Sequence, residues 1–435
     1  MREMKDSGIP WIGEIPKNWE VVRNKNVFDN SKTLVGELWN STQLLSLTTK
    51  GIKAVSIGST SGKVPDSYET YQVVEKDNLV MCLFDLDCSA VFSGLSQFQG
   101  LISPAYKVLT IKDGYLPAFY DKWFNYIFDG RKFMFLSKNI RYSLTYDEFA
   151  SLQIVKPSLA EQQKIAEFLD RKCAEVDEMI GLQEQIIEEL KAYKQSVITE
   201  AVTKGLNPDA PMRDSGIEWI GQIPEHWNIA KLSILFSFKG GYAFDSSDFG
   251  MEGTNQVVRI GNVKNDSLLL DASPVYVSDE IALKAQKSKL DNGQILFTMT
   301  GTKGKRDYFY TLLLKDYHFS EKALYLNQRV GCFIGKDNVY AGYYNYLLKD
   351  KHILDAIFLY ETGTANQGNL GIESIKQTKV QFPPITEQQA IADYLDEKCA
   401  DIDSLIQTKL SKIDSLKEYK KSIIYEYVTG KKEVE

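Results

Sequence analysis

Asp6-Ser7-Gly8-Ile9-Pro10-Trp11-Ile12-Gly13-Glu14-Ile15-Pro16-Lys17-Asn18-Trp19 returns 208 residues later as Asp214-Ser215-Gly216-Ile217-Glu218-Trp219-Ile220-Gly221-Gln222-Ile223-Pro224-Glu225-His226-Trp227. A longer match starts at Glu161-Gln162-Gln163-Lys164-Ile165-Ala166-Glu167-Phe168-Leu169-Asp170. It pairs with Glu387-Gln388-Gln389-Ala390-Ile391-Ala392-Asp393-Tyr394-Leu395-Asp396 at an offset of 226. This second match runs without a gap to Glu200/Glu426 and Val202-Thr203/Val428-Thr429. Two matches in the same order make the chain a tandem duplication. The offsets differ by 18, so the second intervening segment is 18 residues longer than the first.

Each half reads as an opening motif, a variable segment and a shared segment. The shared segments are free of proline and rich in Glu, Lys, Gln, Leu and Ile, which predicts long helices. Their apolar residues step at three and four: Cys173, Val176, Ile180, Ile187, Leu190, Val197 and Ala201 in the first copy. The second copy gives Cys399, Ile402, Ile406, Ile413, Leu416, Ile423 and Tyr427. This is a heptad stripe, and it calls for a coiled-coil partner. Polar residues interrupt it at equivalent places, Gln183/Lys409 and Lys194/Lys420. Polar stripe positions fix register in some coiled coils; two solvated breaks are the blander reading. Antiparallel pairing of the two copies within one chain is the economical solution, giving a rod of roughly 65–70 Å. Pro157 and Pro383-Pro384 stop the incoming strands before each helix.

The variable segments read as α+β. Leu79–Phe84, Tyr106–Ile111 and Gly293–Thr298 are short β-branched or aromatic runs between turn residues, hence strands. Tyr120–Phe128 and Ala341–Leu354 read as short aromatic-rich helices. The expected organisation is a first motif and lobe over 1–158, a spacer helix over 159–204, and a turn-rich linker over 205–213. A second motif and lobe follow over 214–384, then a second spacer helix over 385–430 and a tail over 431–435. The fold class is therefore a pseudo-two-fold α+β repeat, two globular lobes separated by two long antiparallel helices.

The chain has 435 residues, 43% of them hydrophobic, enough for real cores. No run of about 18 apolar residues appears, and the start is too polar for a signal peptide, which predicts a cytoplasmic chain with no membrane partner. Five cysteines, Cys82, Cys88, Cys173, Cys332 and Cys399, form no CxxC pair and suit a reducing compartment. The net charge of −7 taken alone argues against nucleic acid, whose binding needs a basic face. Its distribution reverses that reading. Residues 160–204 carry six basic and ten acidic side chains, and residues 386–430 carry six and nine. The whole net charge therefore sits on the helices, leaving balanced lobes able to present local basic faces.

Little supports catalysis. Three scattered histidines, His226, His318 and His352, build no metal cluster. Gly58-Ser59-Thr60-Ser61-Gly62-Lys63 resembles a phosphate loop but is one residue short, with Val64 in the Ser/Thr position. Asp85-Leu86-Asp87 reads as a capped turn rather than a metal site. Neither a methyltransferase motif nor a nuclease spacing occurs.

What is present is a set of Gly/Ser/Thr-rich loops carrying basic and amide side chains. Small residues let backbone N–H groups approach phosphates, Lys and Arg supply charge, and Asn, Gln and Arg can pair with base edges. The DNA-binding candidates in the first lobe are Lys50, Lys53, Ser59, Thr60, Lys63, Lys138, Asn139 and Arg141. In the second lobe they are Lys239, Tyr242, Thr300, Lys303, Lys305, Arg306, Gln328, Arg329, Asn366 and Gln367. One such loop alone is more often a solvated turn; several in each half shift the balance towards DNA.

The doubled Trp-Ile-Gly-x-Ile-Pro-x-x-Trp motif and the helix starts with Glu-Gln-Gln and Ile-Ala-x-(Phe/Tyr)-Leu-Asp resemble the specificity subunits of type I restriction–modification enzymes. So do Gly100–Tyr106, Arg259–Val263, Asn327-Gln328-Arg329 and Phe382-Pro383-Pro384. The resemblance covers nearly the whole chain. It implies two target-recognition domains, each reading half of a split, asymmetric double-stranded DNA sequence, with the helices as a ruler for the unread gap. It also implies two modification subunits bringing S-adenosylmethionine and two restriction subunits using ATP and magnesium, with no cofactor on this chain. The stripe residues Val176, Ile180, Ile187, Leu190, Val197, Ile402, Ile406, Ile413, Leu416 and Ile423 would then serve the coiled coil and the partner subunits. A complete methyltransferase or nuclease is disfavoured by the absent motifs. A coiled-coil scaffold or decoy that does not read DNA is the remaining alternative.

Overall fold

The structure is a computed structural model that describes residues 2–49, 51–56, 67–86, 92–129, 142–319, 322–364 and 366–434. The chain divides into two compact units. One comprises Met1–Gln185 with Lys409–Glu435, and the other Ile186–Thr408. Each unit thus holds one lobe and half of each long helix, which run Leu159–Lys204 and Ile385–Val428.

In the first unit the opening motif folds into an antiparallel ribbon of Met4–Asp6 with Glu14–Pro16. Its turn is set by side chains: the Gly8 N–H donates to Asp6 Oδ1 at 2.9 Å and the Ile9 N–H to Ser7 Oγ at 3.1 Å. Gly8 and Gly13 take left-handed backbone angles, φ 70° and 71°, which explains glycine at both places. The lobe carries two four-stranded sheets. One is ordered Gly51–Val55, Leu44–Thr48, Gly100–Ile102 and Gln72–Val74; the other is Phe28–Ser31, Lys107–Ile111, Leu79–Met81 and Ser93–Leu95. The helix Pro117–Asp129 buries Phe119, Tyr120, Trp123 and Phe124 against this core.

The second unit repeats the plan. Met212–Asp214 pairs with Gln222–Pro224, again with an Asx turn, Gly216 N–H to Asp214 Oδ1 at 2.9 Å. A four-stranded sheet is ordered Phe236–Gly240, Val330–Gly335, Ile295–Thr298 and Thr311–Leu313. Beside it, Asn255–Val258 runs parallel to Ala323–Leu326. The expected helix over Ala341–Leu354 is instead two helices, Ala341–Leu347 and Lys351–Phe358. Asp350 ends one turn and starts another: its carboxylate accepts from the His352 N–H at 2.9 Å and from Thr199 Oγ1 at 2.6 Å.

The heptad stripe packs as the periodicity predicts. In the first unit Phe168 stacks near Tyr427, centroids 4.4 Å apart, and Asp177 meets Lys420, so one helix ascends as the other descends. In the second unit Ile198, Ala201 and Val202 share a core with Ile391, Ala392, Leu395 and Cys399. Val176, Ile187, Ile402, Ile406, Ile413, Leu416 and Ile423 are buried, and Ile180, Leu190 and Val197 half-buried. Two of the polar interruptions are cross-helix ion pairs. Lys194 Nζ reaches both carboxylate oxygens of Asp403 and Lys420 Nζ both of Asp177, all at 2.7–2.8 Å.

The second shared motif joins each lobe to its helix. Gln162 and Gln388 are fully buried. Gln162 Oε1 accepts the Leu116 N–H and its amide donates to Pro157 O; Gln388 does the same with Tyr340 N–H and Pro383 O. Eight residues beyond each glutamine, Asp170 takes Lys122 at 2.7 Å and Asp396 takes the Tyr346 hydroxyl at 2.6 Å.

Candidate nucleic-acid interface

The second lobe brings several of the sequence-selected residues together. Thr300-Gly301 pairs with Gln367–Asn369, which pairs in turn with Thr362–Thr364, forming a three-stranded sheet with a hairpin tip at Asn366. Next to it is the turn between Ala323–Leu326 and Val330–Gly335, which carries Gln328 and Arg329. Together these elements line an open cleft of about 420 Å³ with Met299, Thr300, Gln328, Arg329, Gly363, Thr364, Gln367 and Asn369. Gln328, Arg329, Asn366 and Gln367 are exposed and Thr300 is half-buried. Among the described residues the cleft is thus furnished with hydroxyl, amide and guanidinium groups and with no carboxylate.

The turn is held by the backbone. The Gln328 N–H donates to Tyr242 O at 3.1 Å, the Met299 N–H to Arg329 O at 3.2 Å, and the Val330 N–H to Asn327 O at 2.9 Å. Gly241 fits because it lacks a side chain: a Cβ there would lie 2.0 Å from Asn327 O. Tyr242 is exposed at this junction, its ring packed edge-on against Phe244.

Other selected cations are engaged within the lobe. Arg306, at φ 53°, pairs with Asp355 and lies over the Phe358 ring. Lys239 donates to Lys289 O and faces Asp291 at 3.7 Å. Lys303 donates to Gly363 O at 3.1 Å, bracing the hairpin from behind. Lys305 is exposed next to them. Thr364 and Asn369, which also line the cleft, were missed as individual residues although their stretch had the right composition; their strand pairing was the signal lacking.

In the first lobe, Lys53 is exposed on Gly51–Val55, opposite Ser46. Lys50, Ser59, Thr60, Lys63, Lys138, Asn139 and Arg141 lie outside the described residues. Among the described residues no group of three His, Cys, Asp or Glu is placed to hold a metal ion, and no helix is long and apolar enough to cross a membrane.

Residues 16–192 and 224–415 match the family described as type I restriction modification DNA specificity domain, one copy in each half. The chain belongs to that family. Among its relatives is the type I restriction enzyme MjaVIII specificity subunit of Methanocaldococcus jannaschii, 28% identical over 288 residues. That alignment covers 65% of this chain and 63% of the relative, so the chain spans somewhat less than two thirds of it. The EcoKI specificity subunit of Escherichia coli K12 is 25% identical, over 62% of this chain and 56% of its own length. Solved structures share the fold as well. A chain from a study of complex assembly and conformational transition in a type I R-M system gives a TM-score of 0.71 at 14% identity, covering 96% of this chain and 99% of that one. The HsdS subunit of Thermoanaerobacter tengcongensis gives 0.52 at 14%, covering 96% and 98%. The α+β tandem repeat expected from the sequence is the fold shared with these chains.

Proposed function

We propose that this chain is the DNA-recognition subunit of a type I restriction–modification complex. Each lobe reads one half of a bipartite, asymmetric target, and the long helices set the unread gap. The observation that carries this reading is the cleft in the second lobe, where Thr300, Gln328, Arg329 and Gln367 converge from three separate segments. Bidentate amide and guanidinium groups are the side chains suited to base edges, and hydroxyl groups suit bases or phosphates. The unlike lobes on a repeated scaffold favour two different half-sites.

The chain would also dock modification and restriction subunits, with S-adenosylmethionine and ATP–magnesium held by those partners rather than here. The buried stripe serves the chain's own packing, so partner contact falls to the outer helix faces. There Met179 and Leu405, and Tyr193 and Tyr419, stand exposed at positions equivalent under the 226-residue offset.

Modified-base sequencing of host DNA with and without this gene tests the proposal. A split methylated motif that appears only with the gene supports it, and defines both half-sites and the gap. A complex that assembles with modification subunits yet retains no duplex DNA would favour the scaffold reading.

A further inference from the structure

Resting on the DNA-reading role above, we propose that Arg329 is a specificity-determining residue that reads a guanine in the half-site of the second lobe. Of the cations in this region, Arg306 and Lys239 have their charge met by Asp355 and Asp291. The Arg329 guanidinium is exposed in the cleft and makes no ion pair among the described residues. Among the described residues no carboxylate lines the cleft to neutralise it.

Its backbone is fixed on both sides. The Arg329 carbonyl accepts the Met299 N–H, the preceding Gln328 N–H is bound to Tyr242 O, and Gly241 lies directly beneath the turn. A rigid base carrying an unpaired planar fork suits a ligand with two acceptors side by side. The major-groove edge of guanine offers that pair in O6 and N7, whereas adenine and cytosine each present a donor and thymine a methyl group. Arginine meets both guanine acceptors at once, a geometry the single ammonium of lysine does not reproduce.

The test uses the full chain assembled with its modification subunits in cells, read by modified-base sequencing, with Arg329→Lys and Arg329→Gln compared with the wild type. The exposed side chain leaves folding unaffected, which a thermal melt verifies. Both Arg329 variants are expected to accept other bases at one position of one half-site. Discrimination there should fall roughly 5- to 150-fold while the other half-site and the gap stay unchanged. If Arg329→Lys keeps the wild-type motif, or both Arg329 variants lower methylation evenly at every site, the residue holds a phosphate and the assignment falls. A wild-type complex that assembles but methylates without sequence preference would instead overturn the DNA-reading role itself.

Discussion

Trp227 donates its indole N–H to Glu387 at 2.9 Å, and Trp19 makes the same contact with Glu161 at 3.3 Å. The last residue of one repeated motif thus touches the first residue of the other in both halves. Both tryptophans are fully buried. Glu161 gains further donors: burial works against its charge, but hydrogen bonds from Arg2, Trp19 and Ser158 hold its carboxyl below the usual value. Trp227→Phe removes the donor and leaves a void. It should cost on the order of 2–4 kcal/mol in the second unit, measured by urea unfolding. A loss under about 0.5 kcal/mol would show the contact to be incidental.

Gln388 connects a helix start, a strand end and the lobe through three backbone groups, the Tyr340 N–H, Asn338 O and Pro383 O. Gln388→Leu keeps the volume and orphans all three. The expected penalty is about 3 kcal/mol or more, seen as a lower melting temperature and earlier proteolysis near residue 340. Gln162→Leu should behave alike in the first unit, and a neutral result for either would remove this role.

Burial pushes the Asp121 carboxyl up to about 6, with Lys122 opposing and Asp170 reinforcing the shift. Because the folded value lies above the ordinary 3.8, this group favours folding below that pH. Its contribution is lost as pH rises through about 6. Asp121→Asn should therefore stabilise the first unit at pH 7.5, by about 1–2 kcal/mol, and flatten the dependence between pH 4 and 6. Unchanged pH profiles for the variant would contradict this.

A side chain at position 241 has nowhere to go except into the turn carrying Gln328 and Arg329. Gly241→Ala should shift that turn and cost about 1–3 kcal/mol of lobe stability. Duplex affinity of the assembled complex should fall while its far-UV circular dichroism stays native. Normal affinity would mean the turn does not meet DNA.

The Lys194–Asp403 pair is partly exposed, with relative side-chain exposures of 25% and 57%. A double-mutant cycle should give a coupling below about 1 kcal/mol, shrinking as salt rises. A coupling above about 2 kcal/mol, insensitive to salt, would mark the pair as a buried-type anchor rather than a surface one.

Much of the architecture was legible because helices and strands announce themselves locally. The stripe from Cys173 to Ala201 and its copy carry the period of a packed helix, and glycines 8, 13, 216 and 221 mark left-handed turns. The partners of Lys194 and Lys420 were not legible, because Asp403 and Asp177 lie a helix away and only the fold sets them opposite. The break at Asp350 was hidden for a similar reason: its carboxylate is bound by Thr199 from a distant segment. In the cleft, residue type identified Thr300, Gln328, Arg329 and Gln367, since polar small-residue loops of that kind are rare in a core. Type could not distinguish Arg329 from Arg306. Only the tertiary placement of Asp355 does so.

The strand Glu20–Arg23 lies against Gln153–Lys156, and Asn228–Lys231 against Lys379–Phe382, each in antiparallel register. The chain therefore leaves and rejoins the scaffold at neighbouring points, with the whole lobe strung between them. A gene exchange with breakpoints inside those paired strands would transplant an intact lobe onto an unaltered frame. If the lobes read DNA as proposed, such a fold would let target preference change in one recombination step, without a path of intermediate and unstable sequences.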